Sequence, residues 1–258
     1  MDSVNLPRPL GAKSYGRMHH LPGSRLGPAE RHLPAALATR LTISPQPGDR
    51  VWVQEKLDGT NVAVARIGDE LVALTRAGYR AADSRRLQGR LFDAWTQEHR
   101  ARFLDVLRPG ERVVGEWLYH AHGTRYVLPH EPFVAFDLMR GQERTPLAEL
   151  TQRLGKALVL PALHAQGPHE PSALFITMEG HGGHGAVPGP EGLIYRLECG
   201  DRVEVVAKWV RPDYVEGLYF KDDEAVLPNA FRPEDERTLT DLLGRLGPTH
   251  DSVRAGSG

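Results

Sequence analysis

The chain has 258 residues, 40% of them apolar and 25% charged, with a formal net charge of −1 and one cysteine, Cys199. That size fits one large domain or one with a small appendage, and no apolar run nears the roughly 20 residues of a membrane span. A lone cysteine excludes an intramolecular disulfide and a Cys-based zinc site. Residues 1–5 also lack a signal-peptide pattern, so a cytoplasmic protein with no membrane partner is expected.

Residues 1–48 are rich in Pro and Gly and read as loops, with a helix over 28–38. The first 50 residues hold seven Lys or Arg against three Asp or Glu, a local balance of +4. Such a basic segment, packed on the main domain, can hold phosphates even when the whole chain is near neutral. From residue 51 the texture changes. Residues 51–53 read as a strand, 61–66 alternate as a second, Gly68-Asp69 makes a hairpin turn and 71–76 returns. A turn centred there sets Asn61 opposite Arg76.

Apolar spacing predicts one or two helices over 85–107, closed by Pro109-Gly110. Strands follow at 113–119 and 133–138. Thr145-Pro146 reads as an N-cap and first turn of a helix that Gly155 stops, and 171–179 as a second short helix. The glycine-rich stretch 180–192 reads as a loop. Residues 193–197 and 203–210 flank Cys199-Gly200-Asp201 as a hairpin. Pro233 opens a last helix with Leu239, Leu242, Leu243 and Leu246 on one side. This mixed order predicts an α+β domain over 49–248, with antiparallel sheets flanked by helices and a flexible tail over 249–258.

The chemistry-bearing segment is Glu55-Lys56-Leu57-Asp58-Gly59-Thr60-Asn61. It sets a lysine at a strand end, ahead of a carboxylate and a glycine where the chain must turn. A lysine becomes a nucleophile only when desolvation or neighbouring charge frees its amine of a proton. A Lys-x-Asp-Gly match alone arises by chance in about one chain in twenty of this length, so the order of the later segments carries the weight. That order is Thr75-Arg76, Gly115-Glu116, Phe136-Asp137, Glu191-Gly192 and Lys208. In the last hairpin, a turn on Cys199-Gly200 would set Glu191 facing Lys208, and a turn on Gly200-Asp201 would make them diagonal neighbours.

In this order the segments resemble the motifs of the covalent nucleotidyltransferases: RNA ligases, DNA ligases and mRNA capping enzymes. The resemblance covers roughly 51–214, and the Thr60-Asn61 extension looks most like the ATP-dependent RNA ligases. It implies an ATP-grasp-like ligase adenylation fold, ATP as co-substrate and Mg2+ or Mn2+. Lys56 would attack the α-phosphate of ATP, Arg76 contact ribose or phosphate, Glu116 the ribose hydroxyls, and Phe136 stack on adenine. Glu55 would line the adenine pocket, Glu191 hold the metal, Lys208 neutralise the α-phosphate, and Asn61 act in joining RNA ends.

One departure stands out: the last motif is commonly Lys-x-Lys in RNA ligases, and here the second position is Val210, leaving Arg211 as the substitute cation. Phe136 has a plainer reading too, as a core residue alternating with Val134 and Leu138. Arg25, and His122 with Arg125, combine cationic and aromatic groups and are candidate RNA or phosphate contacts. His120 with His122, and His181 with His184, lack the partners a zinc site needs. The roughly 50 residues after Lys208 are too short for a C-terminal oligonucleotide-binding barrel, which the resembling DNA ligases and capping enzymes carry. The expected activity is joining of 5'-phosphate and 3'-hydroxyl RNA ends in RNA repair, with repair proteins as candidate partners. The rivals are a DNA ligase, a guanylyltransferase, and a binding module that keeps the pocket without turnover.

Overall fold

The computed structural model describes residues 7–178, 182–219 and 227–247. The expectations for residues 1–5, His181 and 249–258 fall outside those residues. In chain order the elements are β1 (His19–His20), α1 (Ala35–Thr42), β2 (Asp49–Lys56), β3 (Thr60–Ile67) and β4 (Glu70–Thr75). Then come α2 (Leu87–Glu98), α3 (Arg100–Val106), β5 (Glu111–Trp117), β6 (Arg125–Tyr126), β7 (Phe133–Arg140) and β8 (Glu143–Arg144). The rest are α4 (Leu147–Leu154), β9 (Leu163–Gln166), α5 (Pro171–Thr177), β10 (Ala186–Val187), β11 (Gly192–Cys199), β12 (Arg202–Val210) and α6 (Pro233–Leu246).

Two five-stranded sheets carry the fold, in the orders β1-β12-β11-β2-β9 and β4-β3-β5-β7-β8. All pairings within them are antiparallel except β1 with β12. This is the α+β class with antiparallel sheets that the element order predicts. The chain passes from one sheet to the other over residues 57–59, so the Lys56 segment lies at their junction.

Apolar clusters line both sheets, the two largest one on each. On the second, Phe92, Trp95, Phe103, Trp117 and Phe133 join the leucines of α4 and α6. On the first, Leu21, Leu33 and Leu41 from the N-terminal 48 residues pack against Val53, Leu193 and Trp209. Each such side chain contributes about 1.5–3 kcal/mol by leaving water, so the frame around the junction is stiff.

Three local expectations change. The helix read over 28–38 lies at Ala35–Thr42, with Pro34 as its N-cap at φ −51° and ψ 137°. A residue ahead of proline avoids the helical region, so residue 33 cannot extend the helix backwards. Thr145 does not cap α4: Pro146 holds that position, and the Leu147 N–H donates to Glu198 Oε1 at 2.6 Å. The glycine-rich stretch is not all loop, because Ala186 and Val187 form β10 against β6.

The hairpin registers matter most for the site. Val62 pairs with Thr75, which continues to Asn61 opposite Arg76 as the turn implied. In the last hairpin the turn sits on Gly200-Asp201, with Cys199 paired to Arg202. A bulge at Leu197/Glu198 then slips the register by one, and Lys208 pairs with Ile194. Glu191 therefore does not face Lys208. Its carbonyl accepts instead from the Arg211 N–H at 3.1 Å.

Candidate functional site

Lys56 ends β2 beside Gly192, so the β2–β11 ladder carries Glu191 to the lysine. Lys56 Nζ donates to Glu191 Oε2, and to the Leu57 carbonyl at 3.2 Å. The sharp approach of the strands explains the glycines. A Cβ on Gly192 would lie 1.9 Å from the Trp209 carbonyl oxygen, and one on Gly59 would lie 2.7 Å from the Trp117 carbonyl oxygen. Any side chain there would push the sheets apart at the lysine.

Asp58, between them, is an anchor. Its Oδ2 accepts from the N–H groups of Gly123 and Thr124 at 2.8 and 2.6 Å, and its own N–H donates to Tyr126 Oη at 2.9 Å. Across the junction, Asn61 on β3 pairs with Glu116 on β5. Glu116 Oε1 accepts from the Gly59 N–H at 3.1 Å. Asn61 Oδ1 is buried with no hydrogen-bond partner among the described residues. An acceptor left so costs about 1–3 kcal/mol, which marks the position for a ligand donor.

The electrostatics are lopsided. Burial disfavours the Lys56 ammonium, but Glu191, Glu116 and Asp58 outweigh it and raise its pKa. Burial lifts Glu116 to about 8 and Glu191 to about 7, with Lys56 opposing and the other carboxylates adding to the rise. One ammonium is hemmed by three carboxyl groups, so the lysine keeps its proton and the carboxyls carry the strain.

A cleft of about 780 Å³ opens over Lys56 and is lined also by Asn61, Arg76, Glu116, His122, Glu191, Lys208 and Arg25. Beneath it a pocket of about 60 Å³ is bounded by Lys56, Glu55, Asn61, Glu116 and Phe136, with Tyr15, Met18 and Arg196. Phe136 is half-buried on that wall, packs against the cluster of Tyr15, Ala63, Val114 and Met139, and meets Tyr15 edge-on at 5.3 Å and 70°. Glu55 is buried: its Oε2 accepts from the Gly183 N–H at 2.5 Å, and its Oε1 has no partner among the described residues.

Lys208 is tied not to Glu191 but to Glu30 of the N-terminal segment, at 2.5 Å. Glu30 also accepts from the Gly27 N–H at 2.8 Å and lies 2.9 Å from His20 Nε2. Burial would raise the Glu30 carboxyl, but these partners hold it down at about 2. Arg76 Nη2 donates to the Gly16 carbonyl at 3.1 Å.

Two candidates fall elsewhere. Arg125 sits exposed on β6 and Arg211 pairs with Asp213 at 2.6 Å; neither lines the cleft. The Arg211 guanidinium also lies 5.9 Å from the Tyr214 ring, so in this structure it is not turned to the cleft beside Val210. Conversely, Tyr15, Met18, Glu30 and Arg196 line the site, and nothing in their local sequence sets them apart.

Among the described residues, no three His, Cys, Asp or Glu side chains converge as a metal cage. His120 Nδ1 lies 3.1 Å from Gln88 Oε1. A hard divalent cation commonly takes only one or two carboxylates and completes its shell with water and substrate phosphates. Glu191 and Glu116, whose ionisation burial and their acidic neighbours oppose, suit that arrangement.

The RNA ligase family profile matches residues 49–236. No curated protein matches the chain. Among solved structures, form 1 of an archaeal ATP-dependent RNA ligase is 20% identical, over 76% of this chain and 48% of its own, with TM-score 0.46. Form 2 is 22% identical over 63% and 42%, with TM-score 0.43. A mutant Naegleria gruberi RNA ligase with AMP and Mn is 15% identical over 63% and 50%, with TM-score 0.43. The chain thus spans half or less of the length of these three structures. With the profile running from β2 into α6, across the Lys56 cleft, the chain belongs to the RNA ligase family.

Proposed function

We propose that this chain is an ATP-dependent RNA ligase that seals a 5'-phosphate to a 3'-hydroxyl through a lysyl–AMP on Lys56. The observation that carries the reading is a half-buried lysine at a strand end, ringed by carboxyl groups on the floor of an open cleft.

In the first step Lys56 Nζ, its proton released to water in the cleft, attacks the α-phosphorus of ATP. An N–P bond forms, the bond to the bridging oxygen breaks, and pyrophosphate leaves. Lys208, freed from Glu30, would neutralise the α-phosphate; Arg76 and Glu116 would hold ribose and phosphate; Phe136 and Glu55 would bound the adenine. In the second step a 5'-phosphate oxygen displaces the lysine, which regains its proton. In the third, the 3'-hydroxyl gives its proton to water and attacks the phosphorus of the RNA 5'-phosphate, a phosphodiester forms and AMP departs, with Asn61 orienting the ends. Such transfers depend mainly on positioning and charge neutralisation.

Mg2+ or Mn2+, held by Glu191 and Glu116, would supply positive charge beside the phosphates. Drawing those carboxylates away from Lys56 removes what holds its pKa up, so nucleotide loading and lysine activation are linked. A cytoplasmic RNA-repair setting with partner enzymes that prepare the ends fits a chain with one cysteine. No helix among the described residues is long and apolar enough to cross a membrane.

The test is labelling with α-32P ATP and Mg2+ or Mn2+. A covalent label that survives denaturation and alkali but is released by acid, as a phosphoramidate is, is expected on the wild type and none on Lys56→Ala. Label on Lys56→Ala would overturn the assignment, and no label on the wild type would favour a binding module. Labelling by GTP would favour a guanylyltransferase, and preferential sealing of DNA ends a DNA ligase.

A further inference from the structure

The cleft does not stop at the lysine. It runs past Thr60 to the start of α2, where Ser84, Arg86, Gln88 and Gly89 form its wall. We infer that this wall is a phosphate subsite, built from the N-terminus of α2, the Gln88 amide and Arg86; the inference rests on the ligase reading.

The start of α2 resembles that of α6, whose N-cap Arg232 also lacks a side-chain cap, and its Gly89 N–H already donates to the Arg86 carbonyl at 3.1 Å. Arg86 holds the N-cap position, no side chain caps the helix, and its first turn carries no acidic residue. The first-turn N–H groups of a helix have no intrahelical carbonyl to meet, and its positive end favours an anion. Arginine offers no acceptor there and adds like charge, which opposes the helix unless an anion sits in front of it.

Gln88 gives an independent pointer. It is 6% exposed. Its Oε1 accepts from Thr60 Oγ1 at 3.1 Å and lies 3.1 Å from His120 Nδ1. Both acceptor directions are thus used, while Nε2 has no acceptor among the described residues and borders the cleft. The rest of the side chain is buried, so this amide donor is held facing the cleft, open to an acceptor oxygen there. Arg86 itself is exposed and has no ion pair among the described residues. Asp83, in the same loop, does not line the cleft. A charged head, a neutral donor and a helix end therefore converge on one anion.

The anion is a phosphate, and two sources share that chemistry: a phosphodiester of the RNA strand beside the joint, or the outer phosphates of ATP. Arg86→Ala and Gln88→Ala would be compared with wild type in three measurements. These are label formation from ATP, single-turnover joining of pre-adenylylated RNA to a 3'-hydroxyl strand, and binding of a 5'-phosphorylated RNA oligonucleotide across salt concentrations.

For an RNA phosphate, joining falls about tenfold in each variant, RNA binding weakens similarly, and the salt slope of Arg86→Ala drops by about one. For ATP phosphates, label formation falls and the two RNA measurements hold. Unchanged values in all three, with melting temperatures like the wild type's, would overturn the subsite. Because RNA binding needs no turnover, an unlabelled wild type would defeat the ligase reading and still leave the subsite tested by the salt slope.

Discussion

Two buried charge clusters lie back to back against the small pocket, and they are built in opposite ways. Around Asp137 the excess is cationic: Oδ1 accepts from Arg196, and Oδ2 from Tyr15 Oη at 2.7 Å and Arg144 Nε at 3.1 Å. The surplus donors then find backbone carbonyls, as Arg196 does at Phe136 and Arg112 does at Ser14. Around Lys56 the excess is anionic: Glu191, Glu116 and Asp58 share one ammonium. Of these three carboxylates, Asp58 alone accepts from two backbone N–H groups among the described residues. Surplus donors can be satisfied by the carbonyls that any chain offers. Surplus buried carboxylates find few spare N–H groups, because the sheets have used them. The first cluster leaves only Arg196 Nε without a partner among the described residues and holds the Phe136 carbonyl; the second keeps an excess of carboxyl groups over its one ammonium.

Breaking the Asp137 cluster should give the largest effect on folding. Asp137→Ala leaves Arg196 buried and uncompensated, which costs about 3–5 kcal/mol. Urea titration should show that loss, with joining activity falling at least as far as the folded fraction does, because Phe136 loses its support. A variant that keeps wild-type stability would mean the cluster is not structural.

Glu191→Gln sharpens the contrast from the other side. The fold should survive, since the neutral amide oxygen still accepts from Lys56, while label formation falls about 10–100-fold. Extra Mn2+ should recover part of the rate if the carboxylate acts through a metal, and titration of label against Mn2+ measures it. An unchanged rate at low Mn2+ would remove Glu191 from the site.

The unevenness of the two clusters also explains what could be read from the chain alone. Lys56, Asn61, Glu116, Glu191 and Lys208 stand at strand ends whose alternation and turns are local, so their order along the chain placed them near one cleft. The Asp137 cluster joins residue 15 to residues 137, 144 and 196, and no spacing rule links those positions. The Glu30–Lys208 tie was hidden for the same reason. It depends on β1 lying parallel to β12, from a segment that reads as loops and one helix with no strand. The Glu191–Lys208 pairing failed on one added residue, since a bulge at Leu197/Glu198 has no clear signature in the sequence. Gln88 falls in a regular helix pattern and so gives no signal of its own; its value lies in an amide edge that only the cleft reveals.

The smallest expected effect tests whether the acidic cluster is strained without ligand. The Glu116 carboxyl titrates near 8 in the folded protein, chiefly through burial, against an ordinary value of 4.5. A raised carboxyl binds its proton more tightly when folded, so its contribution is present below about 4.5 and is lost as pH climbs toward 8. Wild-type stability should therefore fall between about pH 5 and pH 8.5 relative to Glu116→Gln, which keeps the acceptor for the Gly59 N–H. In a domain of this size each kcal/mol moves the melting temperature by about 2–4 °C, so the two curves should separate by several degrees at the alkaline end. Mg2+ with ATP should close part of that gap for the wild type and leave the variant's curve nearly where it was. Parallel curves across the range would mean that Glu116 ionises freely, and the imbalance that distinguishes this cluster from that of Asp137 would then rest on Glu191 alone.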